Sequence, residues 1–164
     1  MNGKNYLRII IYSILLLLCF SIQNTAGIMP RFFGTTPLLT AALAYAIAVY
    51  DGTTTAVMSA VAAGIITEVT LGSVLGPCTI VFAVASLMTN RLSHRFDVSV
   101  PFALLCGALY SLMVCAAVLL SGAVQNGIAL SGGEFISLTS CRGAYTWLWC
   151  VIICLFFKKS DPYK

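Results

Sequence analysis

The residue with the most conspicuous chemistry in this sequence is Glu68, a carboxylate in the otherwise apolar, small or hydroxylic run 56–76. An ionisable group at membrane depth costs about 2.5 to 3.5 kcal/mol to insert, so it normally faces a protein interior. Small residues recur at every fourth position of this run, which places them on one face of a helix suited to close helix contact. The candidate helix-packing or partner-contact residues are Ala56, Ala60, Gly64, Glu68, Gly72 and Gly76.

Three roles for Glu68 are open from the sequence. In a structural role, the carboxylate lies near the outer end of its helix and accepts hydrogen bonds from amides at the start of the next helix, around 72–76. In a second role, it contacts a partner protein. A proton or ion relay, the third role, needs more than one acid at membrane depth, and this run supplies one. Asp51 is explained by turn chemistry with Gly52 and is not a site candidate.

The composition places the whole chain in the membrane class. Hydrophobic residues make up 60% and charged residues 9% of the sequence, and the mean hydropathy is +0.98, whereas soluble proteins carry about 25% charged residues. The 164 residues leave room for five or six membrane-spanning helices and for little else. The predicted fold is an all-α polytopic membrane helix bundle of about six transmembrane helices, in a single domain covering 1–164.

Six apolar segments define the predicted spans, approximately 7–22, 37–50, 54–69, 74–88, 98–120 and 144–157. Four of them are shorter than a full crossing, since about 15 residues cover only about 22 Å of a hydrocarbon layer about 30 Å thick. These spans must borrow flanking residues or thin the bilayer locally. The longest polar connection is predicted at 121–143, with its turn at Gly132 and Gly133.

The basic residues predict the orientation of the bundle. With a cytoplasmic amino terminus, seven of them lie inside and only Arg31 and Arg142 lie outside, a clear positive-inside bias. Both termini and the loop 91–97 are therefore expected in the cytoplasm. We expect the first helix to be retained, because no clean AxA cleavage pattern follows it. The seven inner residues are Lys4, Arg8, Arg91, Arg95, Lys158, Lys159 and Lys164.

Small residues also predict which helices lie at the centre. Ala44 and Ala48 share a face of the second span, and the fifth span carries a face of four small residues. We expect the second, third and fifth spans at the centre and the bulky first span at the periphery. The four residues on the fifth span are Ala103, Gly107, Ser111 and Cys115.

Several kinds of chemistry find little support in the sequence. The seven cysteines form no CxxC pair, and the single histidine, His94, lies in a basic loop, which argues against thiol redox chemistry and against a metal site. A disulfide between Cys78 and Cys141 stays open. No basic stripe with interleaved aromatic residues is present, so nucleic acid is not expected as a partner. No cofactor is expected, and the expected surroundings of the chain are membrane lipid.

An ordered set of residues in the first half of the chain resembles a known family. The pattern looks like that of the rod shape-determining membrane protein family MreD, over 23–91. The chain differs from that family at two points: Glu68 stands where an aspartate is usual, and Leu38 follows Pro37 where the family has a proline-aspartate pair. The residues of the pattern are Gln23, Thr25, Pro30, Gly34, Pro37, Leu38, Leu39, Gly52, Gly64-Ile65-Ile66-Thr67-Glu68, Gly72 and Leu75-Gly76.

The resemblance implies a non-enzymatic scaffold of the bacterial elongation complex, located in the cytoplasmic membrane. Its implied partner is an MreC-like membrane protein, together with MreB-like filaments inside and RodA-like and class B penicillin-binding proteins. The residues agree with a scaffold as far as they go, since the sequence offers no nucleophile and base pair, no phosphate-binding loop and surfaces suited to helix contact.

A second function class is also compatible with a small six-helix membrane protein. Substrate-binding subunits of energy-coupling-factor vitamin transporters are similar in size and architecture. In such a subunit, Glu68, Tyr110 and the outer loop would line a ligand pocket, because intramembrane polar groups mark substrate routes. The first span lacks the AxxxA face through which those subunits bind their partner, and the outer half offers few convergent polar groups.

Overall fold

A computed structural model describes residues 3–25, 35–71, 76–95, 100–127 and 131–160, with the side chains at 3–7, 100–102 and 158–160 left undescribed. These residues form an all-α bundle without β-strands, as predicted. Its helices are α1 (Gly3–Asn24), α2 (Leu39–Tyr50), α3 (Thr53–Leu71), α4 (Pro77–Arg95), α5 (Val100–Asn126) and α6 (Gly132–Ser160).

The predicted polar connection at 121–143 is wrong. α5 continues to Asn126, and α6 begins at Gly132, so Gly132 and Gly133 lie in the first turn of a helix. The reason is a capping box, in which Ser131 Oγ accepts from the Glu134 amide at 3.3 Å and the Glu134 carboxylate accepts from the Ser131 amide at 3.1 Å. Gly127 follows the last residue of α5, and its φ of 60° suits glycine.

Three helical segments are long and apolar enough to cross a membrane, namely Thr53–Leu71, Ala103–Asn126 and Gly132–Phe157. Arg8–Asn24 and Leu39–Tyr50 are apolar but shorter. The chain is therefore a membrane-type helical protein, and its helices differ in apolar length.

The short helix α2 forms the centre of the bundle. Every residue from Leu39 to Val49 is buried, and α2 contacts all five other helices. α1 is peripheral as expected, since Ile10, Ile14 and Leu17 are exposed. The prediction of three central spans holds only for α2, because α3 and α5 each keep an exposed apolar face, represented by Met58 on α3 and Leu105 on α5.

The two ends of the bundle are distinct. The Tyr12 and Phe157 rings lie 6.2 Å apart, so the start of α1 and the end of α6 share one end, here called the terminal end. Tyr50, at the end of α2, stacks on the same Phe157 ring at 6.4 Å. The opposite end, where α3 meets α4 and α5 meets α6, is called the distal end.

Candidate functional site: two polar layers

Glu68 lies at the distal end and is fully buried, with 0% exposure. Its Oε2 accepts hydrogen bonds from the Gly76 amide at 2.9 Å and from the Thr79 hydroxyl at 2.6 Å, and its Oε1 accepts from the Thr79 amide at 3.0 Å. All three partners are donors at the start of α4, where a helix has amides without internal partners and a positive dipole end. The carboxylate therefore caps the next helix, in the form that the structural role predicted.

The start of α4 depends on a carboxylate from elsewhere. Gly76 is its N-cap residue, since the Gly76 carbonyl accepts from the Ile80 amide at 2.9 Å, and glycine has no side chain with which to cap. Pro77 follows at the first helical position, where its missing N–H costs nothing. Gly76 has a φ of 137°, a conformation that other residues rarely adopt. Glu68 supplies the acceptor that this cap lacks.

The stripe of small residues positions Glu68 by allowing α3 and α4 to approach closely. A Cβ at Gly64 would lie 2.6 Å from the Thr79 Cα, which is closer than real Cβ contacts. Ala56 and Ala60 are fully buried, and the Ala56 carbonyl accepts from the Ser86 hydroxyl of α4 at 3.1 Å. These predicted contact residues thus share one face against α4.

The remaining two predicted stripe positions have different outcomes. Gly76 is half-buried and bonds to Glu68. Gly72 lies outside the described residues.

A second group of polar contacts supports non-helical backbone leading into α2. The Thr36 carbonyl accepts from Arg142 Nε at 3.2 Å, and the Leu38 amide donates to Thr146 Oγ1 at 3.2 Å. Both side chains come from α6. Irregular backbone at membrane depth is tolerated only when protein groups satisfy it, which is what Arg142 and Thr146 do. Arg142 was expected in an outer loop, but it lies within α6 and donates to the backbone that precedes α2.

α1 contributes to the same region through Gln23. The Gln23 Oε1 accepts from the amide and from the hydroxyl of Thr40, each at 3.4 Å, in the first turn of α2. These long hydrogen bonds satisfy donors at another helix start. Gln23 and Thr146 thus serve the beginning of α2 much as Glu68 serves the beginning of α4.

Two sulfur contacts join these groups through α5. The Cys78 thiol lies 3.7 Å from the Ala117 carbonyl, and the Cys115 sulfur lies 3.6 Å from Thr146 Oγ1. Because hydrogen-bonded residues on packed helices share a level along the bundle, the contacts form one layer that includes all six helices. This distal polar layer consists of Gln23, Thr36, Leu38, Thr40, Glu68, Cys78, Thr79, Cys115, Arg142 and Thr146.

A second polar layer lies at the terminal end and centres on Asn90, which is fully buried. Its Nδ2 donates to the Ala48 carbonyl at 2.8 Å and to the Asp51 carbonyl at 2.9 Å, while its Oδ1 accepts from the Thr53 hydroxyl at 2.7 Å. Asn90 therefore satisfies carbonyls at the end of α2 and fixes the start of α3. The sequence reasoning missed it, although a lone amide after an apolar run was a usable indication.

Asp51 belongs to this second layer as a turn residue. Its Oδ1 accepts from the Gly52 amide at 2.8 Å, which agrees with the turn chemistry expected for this pair. The exposed Arg8 of α1 lies 3.9 Å from the same oxygen. Such a partly exposed pair contributes little to stability, about 0 to 1 kcal/mol.

An aromatic pair lies between the two layers. The Tyr45 and Tyr110 rings are 5.3 Å apart, and the Tyr45 hydroxyl donates to the Ala103 carbonyl. Gly107 makes room for Tyr45, since a Cβ there would lie 3.3 Å from the Tyr45 ring. Tyr110 is only 2% exposed, and its hydroxyl has no hydrogen-bond partner among the described residues.

Neither layer assembles a metal or redox centre within the described ranges. No group of three or more histidine, cysteine, aspartate or glutamate side chains gathers there. All seven cysteines are free thiols, including Cys78 and Cys141. What the two layers do chemically is hold helix ends and irregular backbone in place. Comparison of the chain with protein-family models, with curated proteins and with solved structures finds no match.

Proposed function

We propose that this protein is a non-enzymatic membrane scaffold of the bacterial elongation complex, of the MreD type, coupling cytoskeletal filaments to lateral peptidoglycan synthesis. The observation that supports the proposal best is where the residues of the resemblance lie. Several of them make or allow the contacts that join one helix to another. They are Gln23 against Thr40, Leu38 against Thr146, Gly64 against Thr79, and Glu68 against Gly76.

The polar chemistry of Glu68 also favours a scaffold. Its carboxylate is occupied by donors of α4 in a fully buried position, so its geometry is that of a structural cap. A carboxylate that relays protons needs a second acid at depth. Glu68 thus acts in holding the shape of the bundle, which is what a scaffold requires of its parts.

The proposed partner is an MreC-like membrane protein, with MreB-like filaments and RodA-like and class B penicillin-binding proteins as further members of the assembly. The proposed location is the bacterial cytoplasmic membrane, with both termini cytoplasmic. In this orientation the terminal end carries Arg8, Arg91 and Arg95 towards the filaments.

Depletion of the protein in a rod-shaped host tests the proposal. Cells should become round, and the protein purified in mild detergent should retain an MreC-like partner. The Gly64→Leu variant, which forces α3 away from α4, serves as an inactive control. Cells that keep their rod shape after complete depletion would rule out the scaffold role.

A second candidate is a substrate-binding subunit of an energy-coupling-factor vitamin transporter. One observation favours it, namely the buried Tyr110 hydroxyl, which has no hydrogen-bond partner in the described part of the chain. Buried polar groups are normally paired, and a small ligand would pair this one. Tight binding of riboflavin, biotin or a similar small molecule by the purified protein, lost in Tyr110→Phe, would favour this alternative.

A further inference from the structure

The apolar surfaces of α4 and α5 differ in height. On α4, the exposed apolar side chains run from Ile80 to Leu92, and the exposed Arg91 lies beside Leu92 at the lower edge of this surface. Leu92 lies twelve residues after Ile80, which corresponds to a rise of about 18 Å. On α5, exposed apolar side chains run from Leu105 to Val124, which is nineteen residues and about 28 Å. Only the α5 surface matches a hydrocarbon layer of about 30 Å.

The contact between Cys78 and Ala117 places the two surfaces relative to one another. Below this level, Met88 and Leu92 lie ten and fourteen residues from Cys78, and Leu105 lies twelve residues from Ala117, so the lower edges agree to about 3 Å. Above it, α4 begins within two residues, whereas α5 continues for nine residues to Asn126, about 13 Å farther. The mismatch therefore lies at the distal end.

The distal polar layer lies at the level where α4 begins, which is below the distal end of α5. Glu68, Thr79 and the first amides of α4 lie there, hydrogen-bonded to one another. Lipid of ordinary thickness along α4 would cover this helix start with acyl chains, and Arg91 lies beside Leu92 at the lower edge of the same surface. A short apolar surface is accommodated by thinning of the bilayer, by snorkelling of flanking side chains or by oligomerisation.

We propose that the exposed face of α4 thins the bilayer locally, so that the protein carries a short lipid-facing surface on α4 and a full-length one on α5. The partner of the α4 face is lipid with short acyl chains. The difference in height between Ile80 on α4 and Val124 on α5, nine residues or about 13 Å, would then be matched by a slope of the membrane surface around the bundle. This inference does not depend on the proposed scaffold function.

Depth measurements by spin labelling test the slope directly. A genetically encoded nitroxide amino acid, which leaves the native cysteines in place, is introduced singly at exposed positions of the full chain reconstituted in dioleoyl-phosphatidylcholine. Labels at Ile80 and Val124 should lie at equal depth from the distal membrane surface, to within about 3 Å. A label at Ile80 that lies about 13 Å deeper than one at Val124 would overturn the proposal, because the bilayer would then be flat.

Labels at Met88 and Leu105 control for tilting of the whole bundle, because these positions share one level at the terminal end. They should be equally deep. Unequal depths there, which would mean that the bundle tilts to hide the mismatch, also overturn the proposal. A label at Ile80 that is shielded from both oxygen and a water-soluble relaxation agent would show a second protein copy on this face, and would contradict a lipid partner.

Arg91→Leu and Arg95→Leu provide a second, label-free test. Each removes one positive charge from α4, but only Arg91→Leu removes the charge beside Leu92, so that the first exposed arginine below the apolar surface becomes Arg95, about one turn or 6 Å lower than Arg91. Thermal stability is measured in dimyristoleoyl-, dioleoyl- and dierucoyl-phosphatidylcholine. The unaltered protein and Arg95→Leu should be most stable in the same lipid, and Arg91→Leu should shift this optimum to a longer one. An identical lipid profile for all three proteins would overturn the proposal.

Discussion

Glu68 and Thr79 are joined by two hydrogen bonds, one from the Thr79 amide at 3.0 Å and one from its hydroxyl at 2.6 Å. Thr79 is also the residue against which Gly64 packs, four positions before Glu68 on α3. Thr79 of α4 thus makes both the close contact with Gly64 and the hydrogen bonds to the Glu68 carboxylate. Because the same contact serves both, changes at Gly64 and at Glu68 should have related effects on stability.

The first prediction concerns Glu68→Gln. Glutamine has the shape of glutamate, and on that ground it would be expected to substitute with little effect. In the structure, however, both carboxylate oxygens accept from backbone amides, those of Gly76 and Thr79, so either orientation of the glutamine amide points an NH₂ group at an N–H donor. We expect a loss of about 1 to 3 kcal/mol in unfolding free energy, measured by thermal unfolding in detergent.

Glu68→Ala is the companion variant, and it should be less stable still, since it leaves the donors at the start of α4 without any acceptor. Glu134→Gln, at the exposed start of α6, is a matched control and should have a small effect. A Glu68→Gln protein that is as stable as the original but fails to maintain cell shape would show that the charge itself acts in function.

The second prediction concerns Gly64→Ala. The added methyl group meets the Thr79 Cα at 2.6 Å, so α3 and α4 must separate, and overpacking of this kind typically costs about 1 to 3 kcal/mol. Gly122→Ala on α5 is the control, because nothing lies within 4 Å of its added Cβ. We expect lower abundance and a lower melting temperature for Gly64→Ala alone. Equal stability of the two variants would contradict the close approach at Gly64.

The sequence predicts the class, the number of helices and the packing face of α3, because hydropathy and small-residue spacing carry that information locally. Ala56, Ala60 and Gly64 all lie on the predicted buried face. The capping role of Glu68 could also be predicted, since a carboxylate near a helix end that is followed by glycine and proline is suited to capping the next helix.

The parts that sequence reasoning missed depend on long-range contacts or on a motif that was overlooked. Arg142 and Thr146 find their partners more than one hundred residues away, at Thr36 and Leu38, and no local pattern predicts such a pairing. The early start of α6 is different, because the Ser131 to Glu134 capping box was visible in the sequence. Its two following glycines suggested a turn instead.

The third prediction concerns Asn90. Asn90→Ala removes two donors that satisfy the carbonyls of Ala48 and Asp51, which should cost about 1 to 3 kcal/mol in a buried site. Asn90→Asp has nearly the same shape but turns an oxygen towards both carbonyls, so it should be the more destabilising of the two. Asn126→Ala is the control, since Asn126 is exposed and bonds only within its own helix, to Gly122. If the aspartate variant is the more stable, the assigned amide orientation is wrong.

The fourth prediction concerns Thr146. Thr146→Val keeps the side-chain shape but removes the oxygen that accepts from the buried Leu38 amide, and we expect a loss of about 1 to 3 kcal/mol. Thr146→Ser keeps that acceptor and should be closer to the original protein. Thr70→Val is the control, because the exposed Thr70 hydroxyl bonds only to the Ile66 carbonyl of its own helix. Stability equal to that of Thr70→Val would mean that the Leu38 amide is satisfied in another way.

The last prediction concerns orientation. The start of α1, the end of α4 and the end of α6 share the terminal end, where the short connections carry most of the basic residues, and the positive-inside rule is most dependable for such short loops. Arg142, which was predicted in the distal loop, lies within α6, so the distal connections carry still less positive charge than predicted. We expect the terminal end in the cytoplasm and the α5 to α6 reversal outside.

Single cysteines at the exposed positions Ser131 and His94 test this orientation in a Cys141→Ser background, in which the labelling of the six remaining cysteines is measured as the baseline. A membrane-impermeant maleimide applied to intact cells should modify Ser131→Cys and leave His94→Cys unmodified until the cells are opened. Labelling of His94→Cys but not of Ser131→Cys in intact cells would show the opposite orientation, in which the terminal end lies outside and cannot face cytoplasmic filaments.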